Sequence, residues 1–304
     1  MTQESCLAAW NTHLRSNPFY QYEAATLRSY NTSAKIVLRN MLEIEREPLP
    51  YRWTLDDLEA ILDFWEEKDL RVSTRIGYHN ALTSMASALG NPVPGSVRIK
   101  WPDEVIQIKW LTLPQIKTVF ATPMSPMQAM GIELMARMGR RRIECMRAKV
   151  SDMVIDGPED PYMIVDGKGR KKHKMPFAPT SMKILNTWLD DRQRIIEEQY
   201  DRKKLVEKVD DLFIYGRAGK VYPYSTVKST GFNGAIVDDV SIRSGISFSA
   251  HCLRRTFGRE LHFTGGVDIL LIQFYYNHKT REMTERYIGA DEKRKTDGIQ
   301  KIPF

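Results

Sequence analysis

The sequence predicts a mostly α-helical protein with a small antiparallel β-sheet, built as a helical N-terminal domain followed by a mixed α/β domain. Three observations lead there. Helical patterns with recognisable caps run through the first 90 residues, and no strand signal appears before residue 100. Two β-like segments, PYMIVDG and KKHKMPFAP, then flank the Gly-rich turn GKGR, a hairpin pattern. A chain of 304 residues also exceeds what one small core needs. The expected division is 1–92 for the helical domain, 93–110 for a linker and 111–304 for the second domain with a polar tail.

Taken in order, residues 1–20 read as a loose arm or short helix. NTSAKIVLRNMLEIE reads as a helix capped by Asn31 or Thr32. EPLPY breaks it, and Thr54 caps the acidic helix TLDDLEAILDFWEEKD. The next helix starts near Ser73 and ends at Gly90, a natural C-cap. Arg71, Ser73, Thr74, Arg75 and Tyr78 cluster at its start. They suit phosphate contacts, and equally an ordinary solvated helix start. Residues 91–110 hold three prolines and a glycine; Arg98, Lys100 and Lys109 there can follow a DNA backbone.

The second domain opens with the short helix LTLPQIKTVFAT and the Met-rich helix MQAMGIELMARMG, whose methionines read as core filler. MGRRRIECMRAK is a helical turn running into a short strand, VSDMVID. After the hairpin come a long helix, TSMKILNTWLDDRQRIIEEQYDRKK, a short apolar segment, LFIYG, and a helix over YSTVKSTGFNGAIVDDVSIRSG. HCLRRTFGRELHFTGGVDILLIQFYYNHKTREMTERYIG closes the fold as two or three helices.

Charge and composition narrow the function. The net charge is +7, which favours a polyanionic partner. Residues 1–105 carry 11 Lys/Arg against 14 Asp/Glu, whereas residues 106–304 carry 34 against 24. The positive charge therefore belongs to the second domain. Cys6, Cys145 and Cys252 are widely spaced and read as buried free thiols. The sequence has no HExxH and no Walker A, His173 and His262 lack metal-ligand spacing, and no carboxylate cluster suits a two-metal nuclease. No apolar run approaches a membrane span and the N-terminus reads as no signal peptide, so a cytoplasmic, nucleoid-associated protein is expected.

A phosphodiester can be cut without a metal if a nucleophile attacks in line, cations stabilise the equatorial oxygens, and acid and base groups move two protons. Arginine suits the second task because its planar fork stays charged and binds two oxygens. Five motifs supply such groups: Gly139-Arg140-Arg141-Arg142-Ile143-Glu144, Gly167-Lys168-Gly169, His251-Cys252-Leu253-Arg254, Asn277-His278, and Tyr287 in RYIG. In this order they resemble the tyrosine recombinase (phage-type integrase) family, from about Leu111 to Gly289.

The resemblance implies a site-specific DNA recombinase that works without metal, cofactor or ATP. Tyr287 would be the nucleophile, forming a 3′-phosphotyrosyl bond. Arg141 and Arg254 would clamp the phosphate, and Lys168 would protonate the leaving oxygen. His251 would act as acid/base or phosphate donor, and His278 would donate to a nonbridging oxygen. Glu144 shares a helical face with Arg141 and would orient it. Arg170 and Lys172 would grip backbone phosphates, or stay solvated. The chain departs from the family pattern at Arg140 and Arg142, which replace apolar residues, so any of the three arginines can be the phosphate ligand. It departs again at Arg255, where a His is common, and at Asn277, where the family has Gly. The expected partner is double-stranded DNA carrying a specific recombination site, with four protomers on two sites and no membrane. The two domains would clamp the duplex, and the tail from Ile288 to Phe304 would dock on a neighbouring protomer. An integrase of a mobile genetic element is favoured over a housekeeping enzyme. The alternatives are a type IB topoisomerase-like enzyme and a catalytically silent DNA-binding protein of the same fold.

Overall fold

Residues 2–16, 22–102, 108–157, 159–166, 172–200 and 209–290 are described by a computed structural model. The chain divides into two compact units, Met1–Ile106 and Gln107–Phe304.

Unit 1 is helical: α1 (Gln3–Ser16), α2 (Ala24–Glu43), α3 (Leu55–Glu67), α4 (Val72–Ala88) and α5 (Val93–Ser96). The stretch expected as a loose arm or short helix is mostly the helix α1. Cys6, Trp10 and Leu14, one turn apart, bury its inner stripe. Helix α2 starts at Ala24, so Asn31 and Thr32 are not caps. Both sit inside the helix, where Asn31 donates to the Leu27 carbonyl and Thr32 to the Arg28 carbonyl. Thr54 does cap α3, in a reciprocal capping box with Asp57. Gly90 follows α4 at φ +84°, a conformation that glycine adopts without strain. Asn91 then anchors the chain, donating to the carbonyls of Pro50 and Trp53 at 3.0 and 2.9 Å. Residues 93–96, inside the expected linker, form α5 with Pro94 buried.

Unit 2 begins with α6 (Leu113–Ala121), α7 (Pro126–Ala136) and α8 (Arg142–Arg147). Strands β1 (Met153–Val154), β2 (Tyr162–Asp166) and β3 (Lys172–Pro176) form an antiparallel sheet in the order β1-β2-β3. Met163 pairs with Met175 and Val165 with His173. Only Met153 and Val154 of the expected VSDMVID strand are extended, because Val150–Asp152 close a 3-10 turn first. Next come α9 (Pro179–Tyr200) and a hairpin of β4 (Ile214–Arg217) and β5 (Lys220–Pro223). This hairpin was legible only as one apolar segment; its turn, Ala218–Gly219, uses positive φ at both residues. The helix expected over 224–245 is a 3-10 turn, α10 (Ser229–Phe232), a π-helical turn at Asn233–Asp238, and α11 (Asp239–Ser244). Helices α12 (Ala250–Phe263), α13 (Ile269–Tyr276) and α14 (Arg281–Ile288) complete the unit. Helix α7 lies in the core with Met130, Ile132, Leu134 and Met135 buried, as its apolar composition predicts. Its single buried carboxylate, Glu133, is paired with Arg137 and accepts from Ser181. Among the described residues, no helix is long and apolar enough to cross a membrane.

Candidate active site

Four segments, one of them more than 100 residues upstream of the other three, meet around Tyr287. They are the turn 139–144 entering α8, the first turns of α12, the end of α13, and α14. Local sequence places each one. Ser249 caps α12 by accepting from the Cys252 amide, which sets His251 and Arg254 on its first turns. Asn277 closes α13 in the left-handed region at φ +50°, turning the chain so that His278 follows at once. Thr280 caps α14, which carries Tyr287 in its last turn.

The three consecutive arginines are not equivalent. Arg140 is fully buried. It donates to the Met138 carbonyl at 2.8 Å and to the Tyr275 carbonyl, and faces His173 Nε2 at 3.0 Å. Burial pulls its pKa down to about 10, against the pull of Glu144. Its fork is thus engaged on each nitrogen by protein groups. Arg141 stays 28% exposed and forms a 2.7 Å ion pair with Glu144. Arg142 opens α8 with its Nε buried and unpartnered among the described residues.

Glu144 joins the arginines. It accepts from the Arg141 amide at 2.8 Å and lies 3.5 Å from Arg254 and 3.9 Å from Arg140. Burial opposes its ionisation, but Arg140 and Arg254 outweigh that and keep its carboxyl below the usual range.

Arg254 is 1% exposed. It donates to the carbonyls of Gly139 and Tyr276, and its guanidinium lies 4.3 Å from the Tyr276 ring centre. Gly139, at φ +62°, must be glycine, since a Cβ there would run into Phe257.

His251 Nδ1 lies 3.2 Å from the Tyr287 hydroxyl. Partial burial, then Arg255, Arg254, Arg142 and Arg141, lowers the His251 pKa. The Arg255 guanidinium sits 5.1 Å from the Tyr287 ring centre. Tyr287 is pushed up by burial, and Arg254, Arg255 and Arg141 work against that shift. His278 packs edge-on to Tyr287, with ring centres 5.3 Å apart. Its Nδ1 faces the buried Thr284 hydroxyl at 3.1 Å. Burial, with Arg254 and Arg141 near, lowers His278 to about 4. It is therefore neutral near pH 7, and in the tautomer whose Nδ1 accepts from the Thr284 hydroxyl the ring hydrogen sits on Nε2.

The structure thus brings together Arg141, Glu144, His251, Arg254, His278 and Tyr287. Lys168 and Arg170 lie outside the described residues, as do most residues of the polar tail. Lys172 is exposed at the start of β3. In unit 1, Arg71 and Lys100 are exposed and Thr74 is half-buried. Arg75 turns inward instead and pairs with Glu66 at 3.2 Å. From sequence Tyr276 reads only as a core aromatic, which its burial bears out, and nothing singles out Thr284; their contacts with the site arise across packed helices.

The family model for the phage integrase family matches residues 109–294. The chain belongs to this family. It is 29% identical over 170 residues to tyrosine recombinase XerC of Corynebacterium glutamicum, an alignment covering 56% of this chain and 49% of that one. The chain thus spans about half the length of the curated relatives it matches. Among solved structures it resembles a lambda integrase (75–356) dimer bound to a COC′ core site, with a TM-score of 0.67, 19% identity and 95% of each chain covered. It also resembles a lambda integrase tetramer bound to a Holliday junction, with a TM-score of 0.65, 18% identity and coverage of 94% of this chain and 77% of that one. These likenesses show that the phage integrase family chain shares the integrase fold.

Proposed function

We propose that this chain is a site-specific DNA recombinase that cuts and rejoins DNA through Tyr287. One observation carries the reading: the Tyr287 hydroxyl faces His251, and the Arg254 and Arg255 guanidinium groups of α12 lie 5.9 and 5.1 Å from the Tyr287 ring centre. Near neutral pH His251, whose pKa is lowered, is a base within reach of the phenol proton. The Tyr287 oxygen attacks phosphorus and the P–O5′ bond breaks. The products are a 3′-phosphotyrosyl ester and a 5′-hydroxyl, whose proton comes from Lys168. Arg141 and Arg254 balance the charge on the equatorial oxygens, and Nε2–H of His278 donates to one of them. The ester conserves the energy of the broken bond, so a second 5′-hydroxyl reverses the step with no cofactor. Four protomers pairing two sites would exchange the strands, as the likeness to a lambda integrase tetramer on a Holliday junction supports.

The test uses nicked duplexes tiled across the DNA flanking the gene. A covalent protein–DNA adduct is expected on one of them, lost in Tyr287→Phe. DNA binding with no adduct on any duplex would favour a silent DNA-binding protein. Adducts on every duplex alike would favour a topoisomerase-like enzyme.

A further inference from the structure

Tyr276 touches more of this site than any role given so far explains. It is fully buried at the end of α13. Its ring lies 4.3 Å from the Arg254 guanidinium, 5.0 Å from the His278 ring and 5.3 Å from the Tyr287 ring. Its carbonyl accepts from Arg254 Nη2 at 2.8 Å. Its hydroxyl donates to the Arg254 carbonyl and accepts from the Gly258 amide at 2.8 Å. Both ends of Arg254, backbone and guanidinium, are thereby tied to one residue, the guanidinium through the Tyr276 ring face and carbonyl and the backbone through the Tyr276 hydroxyl.

The fit is specific to a ring with a hydroxyl. A Cβ on Gly258 would strike that hydroxyl and stand 2.7 Å from Cζ of the ring. A Cβ on Gly139 would lie 3.0 Å from the Tyr276 ring edge. Two glycines thus make the space that Tyr276 fills, and each lies beside a motif of the site.

We propose that Tyr276 is a positioning residue, a platform that holds the Arg254 guanidinium where the scissile phosphate binds. This rests on the recombinase reading above. A flat π-face under a guanidinium fixes its plane, while the two hydrogen bonds fix the helix that carries it. The phosphate then meets a fork that needs little reorganisation.

The experiment compares wild type, Tyr276→Leu and Arg254→Ala on the duplex that wild type cleaves. The scissile phosphate is either natural or a neutral methylphosphonate. On the natural phosphate, Tyr276→Leu should slow adduct formation about 10- to 100-fold, the scale of a misplaced reacting group. Without the phosphate charge Arg254 has less to stabilise, so on the methylphosphonate the deficit should nearly vanish, as it should for Arg254→Ala. A general loosening of the fold would slow both substrates equally, and that result, or no deficit on either, overturns the proposal. A second measurement needs no cleavage. The Arg254 Nε–H resonance should lose its exchange protection in Tyr276→Leu and keep most of it in Tyr276→Phe. Unchanged protection overturns the proposal, whereas a wild type that forms no adduct overturns the recombinase reading alone.

Discussion

His251 Nδ1 stands 3.2 Å from the Tyr287 hydroxyl, joining the first turn of α12 to the last turn of α14. A base at that distance predicts that His251→Ala slows adduct formation by about 10²- to 10⁴-fold while DNA binding is kept. Partial burial and four guanidinium groups favour the neutral ring, so the base persists below the ordinary value of 6.5. Single-turnover rates should therefore fall only as pH drops through a midpoint under 6.5, and His251→Gln should remove that limb. A midpoint above 6.5 would contradict the assignment.

Arg140 and Arg141 should separate stability from chemistry. Arg140→Leu strips buried partners from the Tyr275 and Met138 carbonyls and from Glu144. It should cost about 2–5 kcal/mol in denaturant unfolding. Arg141 is partly exposed, and without it Glu144 keeps Arg140 and Arg254 beside it, so Arg141→Ala should cost less, about 1–2 kcal/mol. Its adduct formation should fall about 100-fold, the scale of losing one stabilising donor. The reverse pattern would move the phosphate clamp to Arg140.

Acid should loosen unit 2 through His278. Its folded pKa is about 4 against an ordinary 6.5. A depressed histidine binds its proton more readily when unfolded, so its contribution to stability is full above 6.5 and is lost as pH falls toward 4. The melting temperature should drop across that window, and His278→Asn should show a shallower slope. Parallel slopes would place the effect on other groups.

Asn91 should matter to unit 1 alone. Its side chain is buried and donates to two carbonyls from the turn before α3. Asn91→Ala should destabilise unit 1 by about 1–3 kcal/mol, read by hydrogen exchange, and leave the unit 2 amides unchanged.

Much of the fold was legible because its signals are local. Thr54 caps the helix that follows through reciprocal bonds within four residues, so the local sequence marks that start; Thr112 and Ser125 cap α6 and α7 in the same way, which the structure adds. The β2–β3 pairing follows from alternation and a Gly-rich turn. Local signals misled where a side chain had a second use. Asn31 reads as a cap, yet bonds back to Leu27 inside α2 and across to Asn11 on α1.

The candidate site divides along the same line. The order and spacing of the His-x-Leu-Arg motif, His278 and Tyr287 were determined by the sequence itself, since i,i+3 spacing and chain order need no tertiary knowledge. Which of three adjacent arginines is enclosed was decided only by tertiary structure. Arg140, Arg141 and Arg142 are chemically identical, and only the packing of β3 and α13 around the first sets them apart. The place of Tyr276 beneath Arg254 was likewise set by packing, through two glycines, Gly258 on α12 and Gly139 in the turn before α8, whose missing side chains have meaning only once these segments meet α13.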